Sequence, residues 1–386
     1  MSATAAGASA AEVLARLPLR EDLRGRTPYG APQIDVPVRL NTNENSYPLP
    51  ADVVAAVMDA VRQQVPSLNR YPDREFVPLR EDLAAYLGHD LGPEHVWAAN
   101  GSNEVLQHLL QAFGGPGRRA LGFTPSYSMY PIITAGTGTA WVDGRRGTDA
   151  DPFDLSVEHA VEQVRLHDPD VVFLCSPNNP TGTALGLDVV EAVAQAARGI
   201  VVVDEAYAEF ARAGTASALT LLPRYERLVV SRTMSKAFAL AGARVGYLAA
   251  HPGLTDALRL VRLPYHLSSL TQATARAALW YADELLDTVA ELKRQRDRIV
   301  TTLPAFGLRP AASDANFVLF GDLPDPDAVW RGLLEHGVLI RDVGIRHHLR
   351  VSSGTPEEVT AFLDALEATV ERLGLRGTPT PQESSR

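Results

Sequence analysis

The stretch SRTMSKAFALAGARVGY, residues 231–247, places one lysine between hydroxyl side chains and an arginine. Lys236 follows the apolar run RLVVS, which is typical of a β-strand, and precedes an alanine-rich segment. A lysine can form a Schiff base with an aldehyde, and Thr233, Ser235 and Arg244 can hold a phosphate group. The stretch therefore suits a phosphate-bearing aldehyde, and a solvated lysine at a loop–helix junction is the alternative when the motif is taken alone.

The composition is that of a globular enzyme and argues against several classes of partner. The chain has 386 residues, enough for two domains, with 46% hydrophobic and 21% charged residues. Its net charge of −10 argues against nucleic acid or an anionic membrane as a partner. The strongly basic run KRQRDR, residues 293–298, has a helical pattern, and we interpret it as a solvated helix face.

The cysteine content and the apolar runs of the sequence bear on the cellular compartment in which the protein is expected. The single cysteine, Cys175, cannot form an internal disulfide, and its place in the run VVFLC predicts a buried, inert thiol. The N-terminal residues lack the basic segment and the apolar core of a signal peptide. No apolar run reaches the roughly 18 residues that a membrane span needs. We therefore expect a cytoplasmic protein.

Apolar runs typical of strands alternate with amphipathic helical stretches along the chain. This alternation predicts an α/β fold whose sheet is mostly parallel. The predicted strands are 96–99, 120–123, 139–142, 171–175, 200–204, 228–231 and 245–249, and the predicted helices are 104–113, 157–166 and 188–197. A helix-rich segment, 269–303, then leads to a smaller α/β unit with predicted strands at 316–320, 338–341 and 349–352.

Polar residues that could bind a ligand or take part in a reaction follow several of the predicted strands. Ligands of open α/β sheets bind at the carboxyl ends of the strands. Just beyond those ends lie NGSN (100–103), TPSY (124–127), SPNNPTG (176–182), DEAY (204–207) and TMSK (233–236). The sequence therefore predicts that one edge of one sheet carries the functional site.

These residues offer what a pyridine-based cofactor requires around its ring. A carboxylate keeps the ring nitrogen protonated, so that the ring can withdraw electrons, and Asp204 is placed for this. Asn178 and Tyr207 can donate hydrogen bonds to the ring oxygen, and Tyr127 can stack on the ring face. Taken alone, Asp204 could be a helix cap and Tyr127 a core aromatic. A functional site is favoured because all of these residues are predicted at the same edge of the sheet.

The phosphate of such a cofactor has candidate partners at the same edge. Backbone N–H groups at a helix start bind phosphate, and Gly101, Ser102 and Asn103 open a predicted helix. Hydroxyl groups and a cation complete the usual set of partners. Thr233, Ser235 and Arg244 are the candidates for this part of the site.

These motifs together resemble the fold-type-I pyridoxal-phosphate aminotransferases and, within them, the histidinol-phosphate aminotransferase family. The order of NEN, RYPD, RTMSKAF and SDANFVLF is specific for that branch. The resembling segments run from residue 30 to 355 and include LNTNENSYPLP (40–50), RYPD (70–73), ANGSNEVL (99–106), TPSYSMY (124–130), SPNNPTG (176–182), VDEAY (203–207), SRTMSKAFALAG (231–242), RLPYHLSS (262–269), SDANFVLF (313–320), IRDVG (340–344) and LRVSSGT (349–355).

The resemblance implies an architecture and a reaction. It implies a seven-stranded, mostly parallel sheet in a large domain, a smaller α/β domain, and a homodimer with shared active sites. It also implies pyridoxal 5′-phosphate as cofactor and amino transfer between L-histidinol phosphate and 2-oxoglutarate, giving imidazole-acetol phosphate and L-glutamate. The expected segments are an N-terminal arm (1–28), an N-terminal part of the small domain and interface (29–68), the large domain (69–275), the small domain (276–376) and a disordered tail (377–386).

The resemblance further implies roles for individual residues. Lys236 would form the Schiff base and then move the proton, with Asp204 and Tyr207 as its catalytic partners. Arg350, assisted by Asn178, would pair with the substrate carboxylate, for which a guanidinium fork is suited.

Four further residues are implied at the substrate side. Tyr71 would reach the cofactor phosphate of the other subunit, and Tyr29, Tyr265 and Arg341 would line the substrate pocket. Arg341 would lie near the substrate phosphate. The alternatives are that Tyr71 packs a turn and that Arg341 forms an ion pair with Asp342 or another nearby acid.

The sequence departs from the family pattern at the substrate rim. Cys175 precedes SPNNPTG where Asn-Pro is more frequent, Ala239 replaces a common glycine, and LPYHLSS differs from the usual PYNVN. His347 and His348 lack partner ligands at useful spacing, so we expect no metal site.

Two other activities stay open, and a third function is disfavoured. The same scaffold would suit an aromatic, phenylalanine-type aminotransferase or, with the same cofactor residues, an O-phospho-amino-acid decarboxylase. A cofactor-binding regulator is disfavoured because the sequence has no helix-turn-helix module or basic extension to contact DNA.

Overall fold

The computed structural model describes residues 9–147 and 151–375, and the predicted tail, 377–386, lies outside them. The chain divides into two compact units, with the boundary between Pro32 and Gln33. In the first unit, one short helix begins after Ser9, whose hydroxyl accepts a hydrogen bond from the Glu12 amide. Residues 9–28 of the predicted arm, 1–28, lie in this unit, residues 1–8 lie outside the described part of the chain, and the end of the arm at residue 28 stays a prediction.

The strands and helices follow one another along the chain in the alternation that the sequence predicts. The strands are β1 (Val38–Arg39), β2 (Val96–Ala99), β3 (Arg119–Gly122), β4 (Ala140–Asp143), β5 (Val171–Cys175), β6 (Ile200–Asp204), β7 (Leu228–Thr233), β8 (Gly246–Ala250), β9 (Arg309–Pro310), β10 (Phe317–Gly321), β11 (Val338–Leu339) and β12 (Leu349–Ser352). The helices are α1 (Ala10–Arg16), α2 (Ala51–Gln64), α3 (Val77–Leu87), α4 (Ser102–Phe113), α5 (Met129–Gly136), α6 (Val157–His167), α7 (Leu187–Ala196), α8 (Pro252–Val261), α9 (Ser269–Leu279), α10 (Ala282–Thr302), α11 (Pro326–Glu335) and α12 (Pro356–Arg372).

Strands β2 to β8 form a seven-stranded sheet in the order β2-β8-β7-β6-β5-β3-β4. Every neighbouring pair is parallel except those of β8, which runs antiparallel to both β2 and β7. Every residue of β5 and β6 is buried, because helices cover both faces of a parallel sheet and its strands are continuous apolar runs. The predicted fold class, a seven-stranded and mostly parallel sheet, is confirmed.

A smaller lobe contains the remaining strands. Strands β12, β10 and β9 form an antiparallel sheet, and β1 pairs in parallel with β11. Helix α10 begins in the apolar core of the large sheet, through Leu285, and ends in that of the small lobe, through Ile299. The predicted boundaries of these lobes, 29–68, 69–275 and 276–376, stay predictions.

The basic run in α10 is not the solvated face that the sequence predicts. Arg296 is 1% exposed, and its guanidinium donates to the backbone oxygens of Phe210 at 2.9 Å and Ala315 at 3.3 Å. Asp297 accepts from its Nε at 2.9 Å. The prediction is wrong here because carbonyl groups brought by the tertiary fold satisfy the charge. In the part of the chain that the structure describes, no helix has the length and apolar composition of a membrane span.

Strand β8 passes close to the first turn of α4, and Gly246 makes this approach possible. A Cβ atom built on Gly246 would lie 2.6 Å from the Ser102 Cα and closer still to the Ser102 nitrogen. Only a residue without a side chain fits such a gap. The start of α4, which is the predicted phosphate site, is therefore positioned by β8.

We expect Gly246→Ala to lower the free energy of unfolding by about 1–3 kcal/mol, because the added methyl group forces the start of α4 away from β8. Pyridoxal-phosphate affinity should fall as well, since the displaced backbone belongs to the predicted phosphate site. Denaturant unfolding and equilibrium dialysis measure the two effects. Gly242→Ala is the matched control, because a Cβ atom there meets nothing within 4 Å. Equal behaviour of the two variants would contradict the expectation.

Candidate active site

The carboxyl ends of β5, β6 and β7 lie at one edge of the sheet because these strands are parallel. Strand β2 ends at the same edge, since it is antiparallel to β8, which is antiparallel to β7. The segments NGSN, SPNNPTG, DEAY and TMSK therefore converge there, as the sequence predicts. TPSY follows β3, which is parallel to β5, so it reaches the same edge, and these five segments form the large-lobe side of the site.

Asp204, the last residue of β6, is a buried carboxylate with one hydrogen-bonded oxygen. It is 2% exposed, and its Oδ2 accepts from the Tyr130 hydroxyl at 2.8 Å. Oδ1 has no partner within the described residues. Burial raises the pKa of Asp204 to about 6, against the hydrogen bond from Tyr130, which lowers it. A buried oxygen of this kind suits a cationic N–H group of a ligand.

Lys236 lies in the loop after β7, partly buried, and its Nζ donates to the Thr42 backbone oxygen at 3.0 Å. Burial, with Arg350 as the next cause, lowers the pKa of Lys236 to about 8. A larger fraction of this amine is therefore neutral near pH 7 than of an ordinary lysine, as a nucleophile or base requires. The chain has only two lysines, and the other, Lys293 on α10, donates to the backbone oxygen of Ala211.

Tyr207 is buried beside two asparagines. Its hydroxyl oxygen lies 3.1 Å from the Asn43 Nδ2 and 3.3 Å from the Asn179 Nδ2. Burial raises the pKa of Tyr207 to about 12, so the phenol keeps its proton at neutral pH. The sequence predicts Tyr207 at the site but gives no role to Asn43 or Asn179.

The two neighbouring asparagines of SPNNPTG, Asn178 and Asn179, have different hydrogen-bond partners in the structure. Asn178 is fully buried, and its Nδ2 donates to the Pro125 oxygen at 3.0 Å and to the Thr181 hydroxyl at 2.8 Å, while its Oδ1 accepts from Ser126. The structure therefore does not bring Asn178 to Tyr207 or Arg350. It is Asn179 that contacts both, through Nδ2 and Oδ1 respectively.

The predicted phosphate site lies at the start of α4. Gly101 caps the helix with φ of 84°, and a Cβ atom built on it would lie 2.5 Å from the Arg244 Nη2. The guanidinium therefore lies against the first turn of α4, whose N–H groups favour an anion. Thr233, the last residue of β7, and Ser235, in the loop after it, are both buried, and the Ser235 amide donates to the Thr233 hydroxyl at 3.1 Å.

Tyr127 lies beside the same helix start. It is partly buried, and its hydroxyl donates to the Asn103 Oδ1 at 3.1 Å. Its ring meets the Tyr130 ring edge to face, with 5.4 Å between centroids. These contacts place Tyr127 between Asn103, at the predicted phosphate site, and Tyr130, which donates to Asp204. The stacking of Tyr127 on a ligand ring stays a prediction.

Two arginines of the small lobe lie on adjoining backbone. Arg350 is buried in β12 and donates to the Asn179 Oδ1 at 2.5 Å and to the Asn41 oxygen at 3.0 Å. Arg341 forms a two-way backbone bridge with it, at 3.0 and 2.9 Å. Within residues 9–147 and 151–375, no carboxylate lies within ion-pair distance of the Arg341 guanidinium, so the alternative ion pair with Asp342 is absent there.

The predicted substrate-side tyrosines fall into two groups. Tyr71 and Tyr265 stack on each other with 4.4 Å between ring centroids, and Tyr71 is 79% exposed. The residue after Tyr265 is held near α4, because the Asn100 side chain donates to the His266 oxygen at 2.8 Å. Tyr29 belongs to the N-terminal unit and is largely exposed, and its role stays a prediction.

The remaining candidates from the sequence take no part in this site. Burial raises the pKa of the Cys175 thiol to about 12, consistent with an inert side chain. Ring nitrogens of His347 and His348 pair with backbone oxygens of Leu323 and Arg346. The described part of the chain contains no cluster of three or more side chains arranged to hold a metal ion.

Asn43, Tyr130 and Asn179 are functional candidates that sequence reasoning missed. All three lie in motifs that the sequence singles out, NEN, TPSYSMY and SPNNPTG. The sequence thus indicates these motifs but assigns no role to these three residues in them. Their place at the site follows from hydrogen bonds that only the structure shows: Asn43 and Asn179 contact Tyr207, and Tyr130 contacts Asp204.

The residues at this edge fit pyridoxal phosphate, the cofactor that the sequence predicts. The unpartnered Asp204 Oδ1 suits the protonated ring nitrogen, and the Lys236 amine suits the aldehyde. The close approach of Gly101 and Arg244 leaves backbone N–H groups and a guanidinium together for the phosphate. Each functional group of the cofactor thus has a chemically matched partner.

Comparisons with known proteins agree with this assignment. Residues 35–366 match the family described as aminotransferase class I and II. The chain is 64% identical to a histidinol-phosphate aminotransferase of Paenarthrobacter aurescens over 93% of its length and 97% of that protein. It is 61% identical to one of Thermobifida fusca, over 91% and 95% of the two chains.

Solved structures show the same fold. The histidinol-phosphate aminotransferase of Sinorhizobium meliloti, in complex with pyridoxal 5′-phosphate, has a TM-score of 0.77 and 26% identity, covering 88% of this chain and 92% of that one. Aspartate aminotransferase of Thermus thermophilus with maleate has a TM-score of 0.74 at 24% identity, covering 87% and 92%, and shows the fold alone. The chain belongs to the class I and II aminotransferases and, within them, to the histidinol-phosphate aminotransferase family.

Proposed function

We propose that the chain binds pyridoxal 5′-phosphate at Lys236 and transfers an amino group between L-histidinol phosphate and 2-oxoglutarate. The observation that carries the reaction class is the position, at one sheet edge, of a partly buried lysine and a buried carboxylate with an unpartnered oxygen. Burial lowers the pKa of this lysine to about 8, which favours its reaction as an amine. The relatives at 64% and 61% identity, which are histidinol-phosphate aminotransferases, support the substrate.

The side chains divide the work between binding the cofactor and moving a proton. When bound, pyridoxal phosphate supplies a carbonyl that takes up the amino group and a cationic ring that withdraws electrons from the reacting carbon. Asp204 Oδ1 would accept a hydrogen bond from the protonated ring nitrogen, and Tyr207 would donate one to the ring oxygen. In its neutral form, the Lys236 Nζ would take the proton from the substrate carbon and deliver it to the carbonyl carbon that the cofactor supplies. The start of α4 and Arg244 would bind the phosphate.

Asn179, rather than Asn178, is our candidate for the ring-oxygen side of the site. Its amide connects Tyr207 to Arg350, whereas the Asn178 amide hydrogen bonds are all made within its own turn and to Pro125 and Ser126. Arg350 would bind the substrate carboxylate, since a guanidinium can form two parallel hydrogen bonds with a carboxylate. Arg341 would bind the substrate phosphate.

We also propose a homodimer with shared active sites. Helices α2 and α9 pack together, and apolar side chains remain exposed on and beside them, among them Met58 (66%), Leu68, Tyr71 and Trp280. Exposed apolar side chains of this kind are typical of a subunit interface. The exposed Tyr71 would reach the partner's cofactor phosphate. The single, buried cysteine supports our further proposal of a cytoplasmic location.

Lys236→Ala should abolish turnover and the visible absorbance of the bound cofactor, because it removes the amine that holds the aldehyde. Borohydride reduction followed by peptide mapping tests this directly, since the chain contains only two lysines. The cofactor should be found on Lys236, and Lys293→Ala, the matched control, should keep the label, the absorbance and the turnover. A label on Lys293 would rule out the assignment.

Arg341→Ala should lower kcat/KM for L-histidinol phosphate by roughly ten- to hundredfold, as expected for a lost charged hydrogen bond. The value for glutamate should change much less, because glutamate has no phosphate. Steady-state kinetics of both half-reactions measure the difference. Arg309→Ala is the control, since that exposed arginine pairs with Asp322 elsewhere in the small lobe. Equal losses for both substrates would show that Arg341 does not bind the phosphate.

Met58→Glu should shift the protein toward the monomer in sedimentation velocity, because it places a charge in the proposed interface. Leu166→Glu is the matched control, as Leu166 is equally exposed, at 67%, on α6. A wild-type protein that sediments as a fully active monomer would refute the shared site.

A further inference from the structure

We propose that Asn43 is a positioning residue for amino transfer: together with Asn179, it directs the hydrogen of the Tyr207 hydroxyl toward the bound cofactor. The inference rests on the proposed function, since it concerns the same site. Asn43 is buried in the loop that follows β1, and its Nδ2 lies 3.1 Å from the Tyr207 hydroxyl. In this proposal it acts through Tyr207 and touches neither substrate nor cofactor.

The orientation of the Asn179 amide is fixed by Arg350. A guanidinium has only hydrogen-bond donors, so the Asn179 atom 2.5 Å from the Arg350 Nη1 must be the acceptor, Oδ1. The NH₂ group of Asn179 therefore faces the Tyr207 hydroxyl, at 3.3 Å. Asn179 donates to Tyr207 and cannot accept its hydrogen.

The orientation of the Asn43 amide follows from Ser352. The Asn43 backbone N–H donates to the Ser352 Oγ at 2.9 Å, and the Ser352 hydroxyl donates in turn to the Asn43 Oδ1 at 3.0 Å. In the reverse orientation of the amide, the buried Ser352 hydroxyl would face two donors and its hydrogen would have no acceptor among the described residues. The Asn43 NH₂ group therefore also faces Tyr207.

The Tyr207 oxygen thus accepts two amide hydrogens, and neither asparagine can accept the phenol hydrogen in return. Within residues 9–147 and 151–375, the Tyr207 hydroxyl donates no hydrogen bond. Its oxygen has two acceptor positions and one hydrogen, so the hydrogen has to point in a third direction. A ligand oxygen in the site is the acceptor that completes this arrangement.

One strand of the small lobe holds both amides. Arg350 and Ser352 are two residues apart on β12, so their side chains lie on the same face. The backbone of Asn43 has a φ of 54°, a region that asparagine adopts more readily than most residues, and its carbonyl accepts from Asn316 at 3.1 Å. Asparagine at this position therefore suits both the turn and the hydrogen bond to Tyr207.

The charged and titratable groups that act on Tyr207 are Arg350, Cys175 and Asp204. A change at Asn43 leaves all three in place. The effect of such a change can therefore be assigned to the hydrogen bond with Tyr207 once direct charge effects are subtracted. A double-mutant cycle makes this subtraction.

The test measures the Kd for pyridoxal phosphate, by equilibrium dialysis, of wild type, Asn43→Asp, Tyr207→Phe and the double variant. Asn43→Asp keeps the shape but replaces a donor with an acceptor, so the phenol hydrogen turns from the cofactor to the new carboxylate. We expect it to raise the Kd roughly tenfold in the wild-type background, the size of one lost hydrogen bond to a charged group. In the Tyr207→Phe background we expect less than a twofold change, because no phenol hydrogen remains.

Additive effects of the two substitutions, or an unchanged Kd for Asn43→Asp, would overturn the proposal. Ser352→Ala is a second variant that leaves Asn43 in place and removes only the contact that orients it, and it should weaken binding in the same direction. Thermal unfolding of each apoprotein verifies that the variants fold. A wild-type protein that binds no pyridoxal phosphate would contradict the proposed function itself, which separates the two failures.

Discussion

The burial of Asp204 at the end of the central parallel strand is the constraint on which the site depends. A carboxylate in this position is costly unless it is hydrogen-bonded, and only one of its oxygens has a partner, Tyr130, in the part of the chain that the structure describes. The other oxygen is available to a cationic ligand. The fold thus holds a negative charge where a protonated ring can compensate it, at the edge of the sheet where Lys236 also lies.

The second organising feature is the link between the two lobes. Strand β12 of the small lobe holds Asn43 and Asn179 through Ser352 and Arg350, and both amides meet on Tyr207 of the large lobe. The loop around Asn43 also reaches Lys236, through the Thr42 oxygen. The proposed carboxylate-binding arginine, Arg350, is therefore connected to Tyr207 by two hydrogen bonds, through Asn179. A shift of the small lobe would move the amide groups that donate to the Tyr207 hydroxyl.

The sequence predicted the framework well because each signal was local. Strands such as β5 and β6 are continuous apolar runs with polar residues at their ends, so both the strand bounds and the position of Asp204 could be derived. The proposed phosphate site could be located from the sequence because Gly101 precedes an amphipathic helix. These features depend on neighbours within a few residues in the chain.

What the sequence could not predict depends on partners distant in the chain. Asn178 and Asn179 are adjacent and chemically identical, and only the turn closed by Gly182 directs the first inward and the second to Arg350. Asn43 meets Tyr207 across 164 positions of the sequence. Arg296 is charged and has a helical pattern, yet it is buried because carbonyl groups of two other segments surround it.

The measurement that tests the central claim most directly is kcat/KM of the cofactor-loaded protein for L-histidinol phosphate and for L-phenylalanine, each with 2-oxoglutarate as acceptor. We expect a preference for histidinol phosphate of roughly a hundredfold or more, which corresponds to about 2.7 kcal/mol of transition-state discrimination. Comparable values, or a preference for phenylalanine, would contradict the proposed substrate and indicate an aromatic aminotransferase with the same fold and the same lysine.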